Sequence, residues 1–296
     1  MHIRVVIPEY GNRHLTERCI KSIPQPSAYA DTFGCIPDIE IYIGDDGFYN
    51  MKESSTMFLP YGPHVKVINW SNNVGFARNV NRTVSEACKN ISLDEIGDTV
   101  LFILNSDIYF PNSSDFKLLN TRANDYYEIC GPSILVPPNF VHAMGWGPHP
   151  QHFSPERYKE EYNAPLPFAA YKNRQMTMLS GCCLCMPAMF WFTLGGFDCK
   201  SFVAYYEDDD FGIRANLAGY LVRVAFEANI IHKCAQSMDQ ELTVHKECRE
   251  KSERNFKIKW PEITWNSTGN YEIADTISPL DARIVYSGDG RSEFKC

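Results

Sequence analysis

Val100-Leu101-Phe102-Ile103-Leu104, followed at once by Asn105-Ser106-Asp107, is the stretch whose reading decides the fold of this chain. An unbroken apolar run of that length predicts a strand buried on both faces, as in a parallel sheet covered by helices. Polar residues that begin where such a strand stops lie at its carboxyl end, where an open α/β sheet places its ligand crevice. Asp107 could there hold a divalent cation, since magnesium-type ions are usually bound by one or two carboxylates plus substrate phosphates. The same residues also suit an Asx turn leaving the sheet.

Outward from this strand the pattern repeats. Ile3-Arg4-Val5-Val6-Ile7 predicts a first strand ended by Pro8, and Leu15, Cys19, Ile20 and Ile23 form the inward face of a helix. Ile39–Ile43 and Val65–Ile68 predict further strands, ended by Gly44-Asp45-Asp46-Gly47 and by Asn69. Phe76, Val80, Val84 and Cys88 recur every fourth residue and predict a helix before the Val100 strand. Alternating strands and helices predict a mostly parallel α/β sheet flanked by helices. The stretch from Pro137 to Asn173, rich in Pro, His and aromatics, reads as a long ordered loop, with Trp146 as a candidate for stacking on a sugar or for plain packing. Regular structure resumes from Met178 to Met186 and in a short amphipathic stretch to Leu194. Asp208–Ala218 predicts a helix, Leu221–Ala225 and Asn229–Ile231 two strands, and Glu241–Lys259 a charged helix. The expected organisation is one domain over residues 1–243 and a C-terminal helix and extension over 244–296.

The chain has 296 residues, 44% of them hydrophobic, which suffices for a sizeable core. A net charge of −8 argues against a nucleic-acid surface, which needs clustered Lys and Arg. No apolar stretch approaches the roughly 20 residues of a membrane span, and no signal-peptide pattern opens the chain, so a soluble cytoplasmic protein is expected. Eleven cysteines, an odd number without a secretion signal, fit reduced thiols. Cys182, Cys183 and Cys185 lack a second Cys/His pair with zinc spacing.

Three further groups can carry chemistry. Asp45 and Asp46 after a buried strand can accept hydrogen bonds from a nucleobase or ribose, or simply form a turn. The first strand ends in Pro8-Glu9-Tyr10-Gly11, not G-x-G-x-x-G, and no P-loop sequence occurs. Glu207-Asp208-Asp209-Asp210, flanked by Tyr205, Tyr206 and Phe211, suits either a helix N-terminus or a pocket holding a general base. His232, after Ile230-Ile231, is either a satisfied strand-end histidine or a ligand.

Taken together, the motifs resemble the family 2 glycosyltransferases of the GT-A fold, particularly the rhamnosyltransferase-like branch, over residues 3 to 237. Val5-Val6-Ile7-Pro8-Glu9-Tyr10 is similar to the family's opening strand, and Ile43-Gly44-Asp45-Asp46-Gly47 to its base-binding turn. Asn72–Asn79 is similar to its N-x-G-F-A-x-x-N helix start and Leu104-Asn105-Ser106-Asp107 to its metal-binding D-x-D. Gly181-Cys182-Cys183-Leu184 with Gly195-Gly196-Phe197-Asp198 resembles the segment under the donor sugar, and Tyr206–Phe211 the E-D motif.

The resemblance implies an inverting hexosyl- or deoxyhexosyltransferase that moves a sugar from a nucleotide-diphosphate donor, UDP- or dTDP-linked, to a glycan hydroxyl. It implies donor contacts from Pro8, Tyr10, Asp45, Asp46, Arg78, Asn105, Ser106 and Gly181. Asp107 and His232 would hold Mn²⁺ or Mg²⁺, and the Glu207-Asp208 pair would supply the base, Asp208. Asn105 replaces the first acid of D-x-D, leaving one charged ligand, and Glu9 introduces a carboxylate that would repel a diphosphate. A sugar nucleotidyltransferase, or a non-catalytic carbohydrate-binding protein of the same fold, are the alternative expectations.

Overall fold

The structure, a computed structural model, describes residues 1–25, 37–136, 140–143, 178–233, 242–265 and 271–273. Its strands are β1 (His2–Glu9), β2 (Asp38–Asp45), β3 (Val65–Asn69), β4 (Thr99–Leu104), β5 (Ile108–Tyr109), β6 (Glu128–Val136), β7 (Phe140–Ala143), β8 (Cys183–Pro187), β9 (Leu221–His232), β10 (Ile263–Trp265) and β11 (Tyr271–Ile273). The helices are α1 (Arg13–Ser22), α2 (Met51–Met57), α3 (Phe76–Cys88), α4 (Leu93–Ile96), α5 (Ser113–Tyr126), α6 (Ala188–Leu194), α7 (Glu207–Leu217) and α8 (Leu242–Lys259).

The main sheet runs β3-β2-β1-β4-β8-β6-β9-β5, with β7 on β6, while β10 and β11 form a separate hairpin. β1 is parallel to β2 and β4, and β2 to β3. β8 runs against both β4 and β6, and β6 and β9 are parallel again. Thus a parallel half, β3-β2-β1-β4, joins a mixed half through one reversed strand. β4 is inaccessible along its whole length, at most 1% exposed at any residue, as its sequence predicts.

Alternation along β1 divides the core. Ile3, Val5 and Ile7 face Cys19 and Ile20 of α1 and, with β4, Phe116 and Leu119 of α5. Val6 belongs to the opposite layer with Val80 and Val84 of α3, Trp191 and Leu194 of α6 and Phe211 of α7. Burying each such side chain contributes about 1.5–3 kcal/mol, so both faces of the sheet must be covered.

The structure departs from the sequence reading in several places. α5 and β6 have no counterpart in it, although Phe116, Leu119 and Ala123 are buried at helical spacing. β9 is one strand rather than two. Its register against β6 jumps from Pro132↔Ala225 to Ser133↔Asn229, so residues 226–228 bulge beside Pro132, which has no N–H for the ladder. Part of the stretch expected as a loop, Phe140–Ala143, pairs with β6; Trp146 lies outside the described residues. Cys19, Cys88, Cys130, Cys182, Cys183, Cys185 and Cys248 are free thiols, whereas Cys199 is disulfide-bonded, so the expectation of reduced thiols does not hold at that position.

The helix assigned to the C-terminal extension is fastened to the main body. Phe256 and Trp260 share a core with Met178, Phe202 and Ile213.

Candidate active site

Parallel register places the ends of three strands in a row, with Glu9 opposite Asp45 and Asp45 opposite Asn69. The Asp45 carboxylate accepts hydrogen bonds from the Phe48 N–H at 3.2 Å and from Asn69 Nδ2 at 2.7 Å. Asp46 accepts from the Val74 N–H at 2.7 Å and the Gly75 N–H at 3.1 Å, clamping the loop before α3 onto β2. Burial raises the Asp46 pKa above the ordinary aspartate value, against the two N–H donors. Asn79 completes the clamp: its Nδ2 donates to the Gly44 carbonyl at 2.8 Å, and its Oδ1 accepts from Trp70 Nε1 at 3.0 Å. A Cβ at Gly44 would lie 2.1 Å from Asn79 Oδ1, so the strand-end glycine is required by packing.

Glu9 does not project toward a diphosphate. It is 1% exposed, and its carboxylate accepts from the Asn12 N–H at 2.6 Å and from the Thr16 hydroxyl, satisfying the start of α1. Burial pushes its pKa up to about 7, with these hydrogen bonds opposing and Asp45 adding to the rise. The next residue, Tyr10, is 46% exposed and meets Phe48 edge to face at 5.2 Å. Pro8 sits within β1 opposite Gly44. Arg78, in the first turn of α3, is half-buried and has its Nε inside the protein with no hydrogen-bond partner among the described residues. An inward, partnerless guanidinium nitrogen suits a phosphate or sugar oxygen.

After β4 the chain turns through Asn105 and Ser106 into β5. The Asn105 N–H donates to the Cys182 carbonyl at 2.9 Å, and its buried Oδ1 has no partner among the described residues. β5 pairs with the end of β9, Ile108 opposite His232, and this brings His232 Nε2 to 3.1 Å from Asp107 Oδ1. Both side chains are largely buried. Among the described residues no group of three or more His, Cys, Asp or Glu side chains could hold a metal by itself. One carboxylate and one imidazole nevertheless fit a cation that takes its remaining ligands from water and phosphate. Sequence reasoning named both residues; the pairing of β5 with β9 brings them together.

The acidic run opens α7 and splits by role. Tyr205 and Tyr206, just before it, have φ of 67° and 68°. Such left-handed backbone costs on the order of 1 kcal/mol or more per non-glycine residue and concentrates at functional sites. Asp208 Oδ2 accepts from the Gly181 N–H at 2.7 Å, and its Oδ1 from the Asp209 N–H at 3.0 Å. Burial raises the Asp208 pKa, against those donors. Glu207 is 6% exposed, with Oε2 lacking a partner among the described residues. Burial, and next the charge of Asp208, hold its pKa well above the ordinary range. Asp210 is an anchor, accepting from Arg214 Nε at 2.8 Å, Trp260 Nε1 at 2.8 Å and Lys259 Nζ at 2.7 Å. Sequence reasoning placed Tyr205 and Tyr206 beside the acids but not their left-handed backbone, and it missed the roles of Asn69 and Asn79 and the contribution of α8. Asn79 carried a signal in its place within the Asn72–Asn79 motif.

The family model for glycosyl transferase family 2 matches residues 4–190. An N-acetylglucosaminyl-diphospho-decaprenol L-rhamnosyltransferase of Mycobacterium tuberculosis, from strains CDC 1551 / Oshkosh and ATCC 25618 / H37Rv, is 27% identical over 250 residues, covering 78% of this chain and 78% of the relative. Among solved structures, GalNAc-T7 with UDP, GalNAc and Mn²⁺ aligns with a TM-score of 0.62 at 15% identity, covering 88% of this chain and 48% of that one. The mannosyltransferase PcManGT from Pyrobaculum calidifontis, with GDP-Man and Mn²⁺, aligns with a TM-score of 0.52 at 13% identity, covering 82% and 60%. This chain therefore spans about half of the first structure and three-fifths of the second. At these identities the two structures show a shared GT-A fold.

Proposed function

The chain belongs to glycosyl transferase family 2, and on that premise we propose that it is an inverting, metal-assisted transferase using Asp208 as general base. Its donor is a nucleotide-diphosphate sugar, UDP- or dTDP-linked, and its acceptor a hydroxyl of a glycan. The observation that carries the reading is the meeting of Asp107 and His232, 3.1 Å apart although 125 residues separate them in sequence. A carboxylate and an imidazole joined at the carboxyl end of the sheet suit a Mn²⁺ or Mg²⁺ site completed by the donor. The relative in Mycobacterium, whose name gives a diphospho-decaprenol-linked acceptor, and the Mn²⁺ in both solved structures support the same assignment.

The chain's own groups then divide the work. Asp107 and His232 would hold the cation, which when bound supplies positive charge to the departing diphosphate. Arg78 supplies a second positive group, at the start of α3, toward the diphosphate. The Asn105 carbonyl oxygen can accept from a sugar hydroxyl. Asp208, fixed by the Gly181 N–H and made more basic by burial, takes the proton of the acceptor hydroxyl. The acceptor oxygen bonds to the anomeric carbon while the bond to the phosphate oxygen breaks on the opposite face, so the configuration inverts. Glu207, favoured in its neutral form by burial, adds no second negative charge beside Asp208.

The test is release of nucleoside diphosphate from a panel of UDP-, GDP- and dTDP-sugars with Mn²⁺ and with EDTA. Metal-dependent release from one donor is expected. Equal release in EDTA would overturn the metal assignment, and tight donor binding with no turnover, even with glycan acceptors present, would favour a carbohydrate-binding protein.

A further inference from the structure

α8 belongs to the part of the chain read from sequence as an extension, yet one face of it is bound to the segment that leads into Asp208. Ser252, Asn255, Phe256, Lys259 and Trp260 recur at helical spacing and form a single stripe. Along it, Ser252 Oγ donates to the Ala204 carbonyl at 2.7 Å and Asn255 Nδ2 to the Ser201 carbonyl at 2.7 Å. Lys259 Nζ reaches Asp198 at 2.7 Å and Asp210 at 2.7 Å, spanning both ends of the segment. The Tyr206 ring packs on Phe256 at 5.2 Å.

The residues so gripped run straight into the strained turn. Ala204, whose carbonyl Ser252 holds, immediately precedes Tyr205 and Tyr206, both left-handed. Glu207 and Asp208 follow directly. A backbone conformation that L-residues avoid persists only where surrounding contacts over-determine it. Here several of those contacts come from α8, from the far end of the chain. The same segment touches the loop before α3: the Ala77 N–H donates to the Val203 carbonyl at 3.2 Å, and a Cβ at Gly75 would strike the Val203 side chain.

We propose that α8 is a positioning element of the reaction, with Ser252 and Asn255 as positioning residues that hold the Tyr205-Tyr206 turn and thereby place Asp208. This rests on the assignment of Asp208 as base. Neither residue touches substrate; each acts through the backbone of residues 201–208. Their loss would free the turn toward ordinary backbone angles and shift the Asp208 carboxylate, while Asp45, Asp107 and His232 keep their own partners at the strand ends.

The experiment compares full-length wild type, Ser252→Ala, Asn255→Ala, Ser252→Thr and Asp208→Asn. Turnover is followed with the UDP-, GDP- and dTDP-sugar panel and Mn²⁺, and hydrogen exchange is measured over residues 201–208. Ser252→Ala and Asn255→Ala are expected to speed exchange in that segment and to lower kcat about 10-fold or more, with a smaller change in donor KM. Melting temperatures should move by less than about 4 °C. Ser252→Thr, which keeps the hydroxyl, restores both exchange and kcat. If exchange and kcat in the two alanine variants match wild type while Asp208→Asn is inactive, the positioning role is overturned and the base assignment stands. If Asp208→Asn turns over normally, the base assignment fails and this inference falls with it.

Discussion

At the end of β2, Asp45 and Asp46 accept hydrogen bonds from Phe48 in their own turn and from Asn69, Val74 and Gly75 more than twenty residues away. At the start of α7, Asp208 accepts from a single distant donor, Gly181, besides its own neighbour Asp209, and Glu207 keeps a buried oxygen with no partner among the described residues. Two acidic runs that look alike in sequence therefore have opposite partner sets. Burial raises Asp46 and Asp208 alike, so the direction of the pKa shift does not separate them. The distinction lies in what the oxygens hold. A carboxylate that ties distant segments together is an anchor, and the one held by a single distant N–H at a strained turn is the one we propose for proton transfer.

Asp208→Asn tests the proton-transfer side most severely. Without a basic oxygen there, kcat should fall about 10²–10⁴-fold, the usual contribution of a general base. Undiminished turnover would break the comparison. Because burial raises the Asp208 pKa, the acid limb of the kcat profile should lie above the pH of an ordinary aspartate.

Asp210→Ala tests the anchor within the same run. Arg214 would lose its buried carboxylate, keeping the Leu194 and Gly196 carbonyls, and Lys259 and Trp260 would lose one acceptor each. The expected loss is about 3–5 kcal/mol by urea unfolding, and a variant as stable as wild type would erase the division of roles.

Glu9→Gln sharpens the contrast through pH. The native carboxyl holds its proton up to about 7, while the unfolded one releases it near the ordinary glutamate value of 4.5. The unfolded state thus binds fewer protons between those values. The stability contributed by this group is complete below the unfolded value and is lost as pH rises through the folded one. Between about pH 5 and pH 7.5, wild type should lose about 2 kcal/mol relative to the glutamine variant, whose amide mimics the protonated acid. Parallel stability curves in thermal melts would show that Glu9 is ionised in the fold.

Glu207→Gln is expected to have the smallest effect. If burial keeps Glu207 neutral, an amide of the same shape should leave turnover and melting temperature close to wild type. A collapse of turnover comparable to that of Asp208→Asn would make Glu207 a participant in proton transfer.

Much of the parallel half was legible because its signals are local. The apolar runs of β1, β2 and β4 are all strands of the parallel half, in the sheet order β2-β1-β4 that no local pattern gave, and polar residues follow each run at or within two residues of the strand end. The mixed half was less legible. β9 bulges beside Pro132 of another strand, and α5 hides its period in a mixed composition. Glu9 read as a threat to the diphosphate, yet Asn12 and Thr16, within one helical turn of it, draw it into the protein.

The sequence by itself determined the α/β layering, the polar strand ends and the acids and histidine proposed for the site, because hydrophobic period and strand termination are properties of neighbouring residues. Only the tertiary structure decided that Asp107 meets His232, that Asp210 is an anchor while Asp208 is not, and that α8 secures the turn before it. Those outcomes depend on partners up to 125 residues away. A side chain's role follows from which donors and charges the fold brings within hydrogen-bond distance, and no local pattern records that.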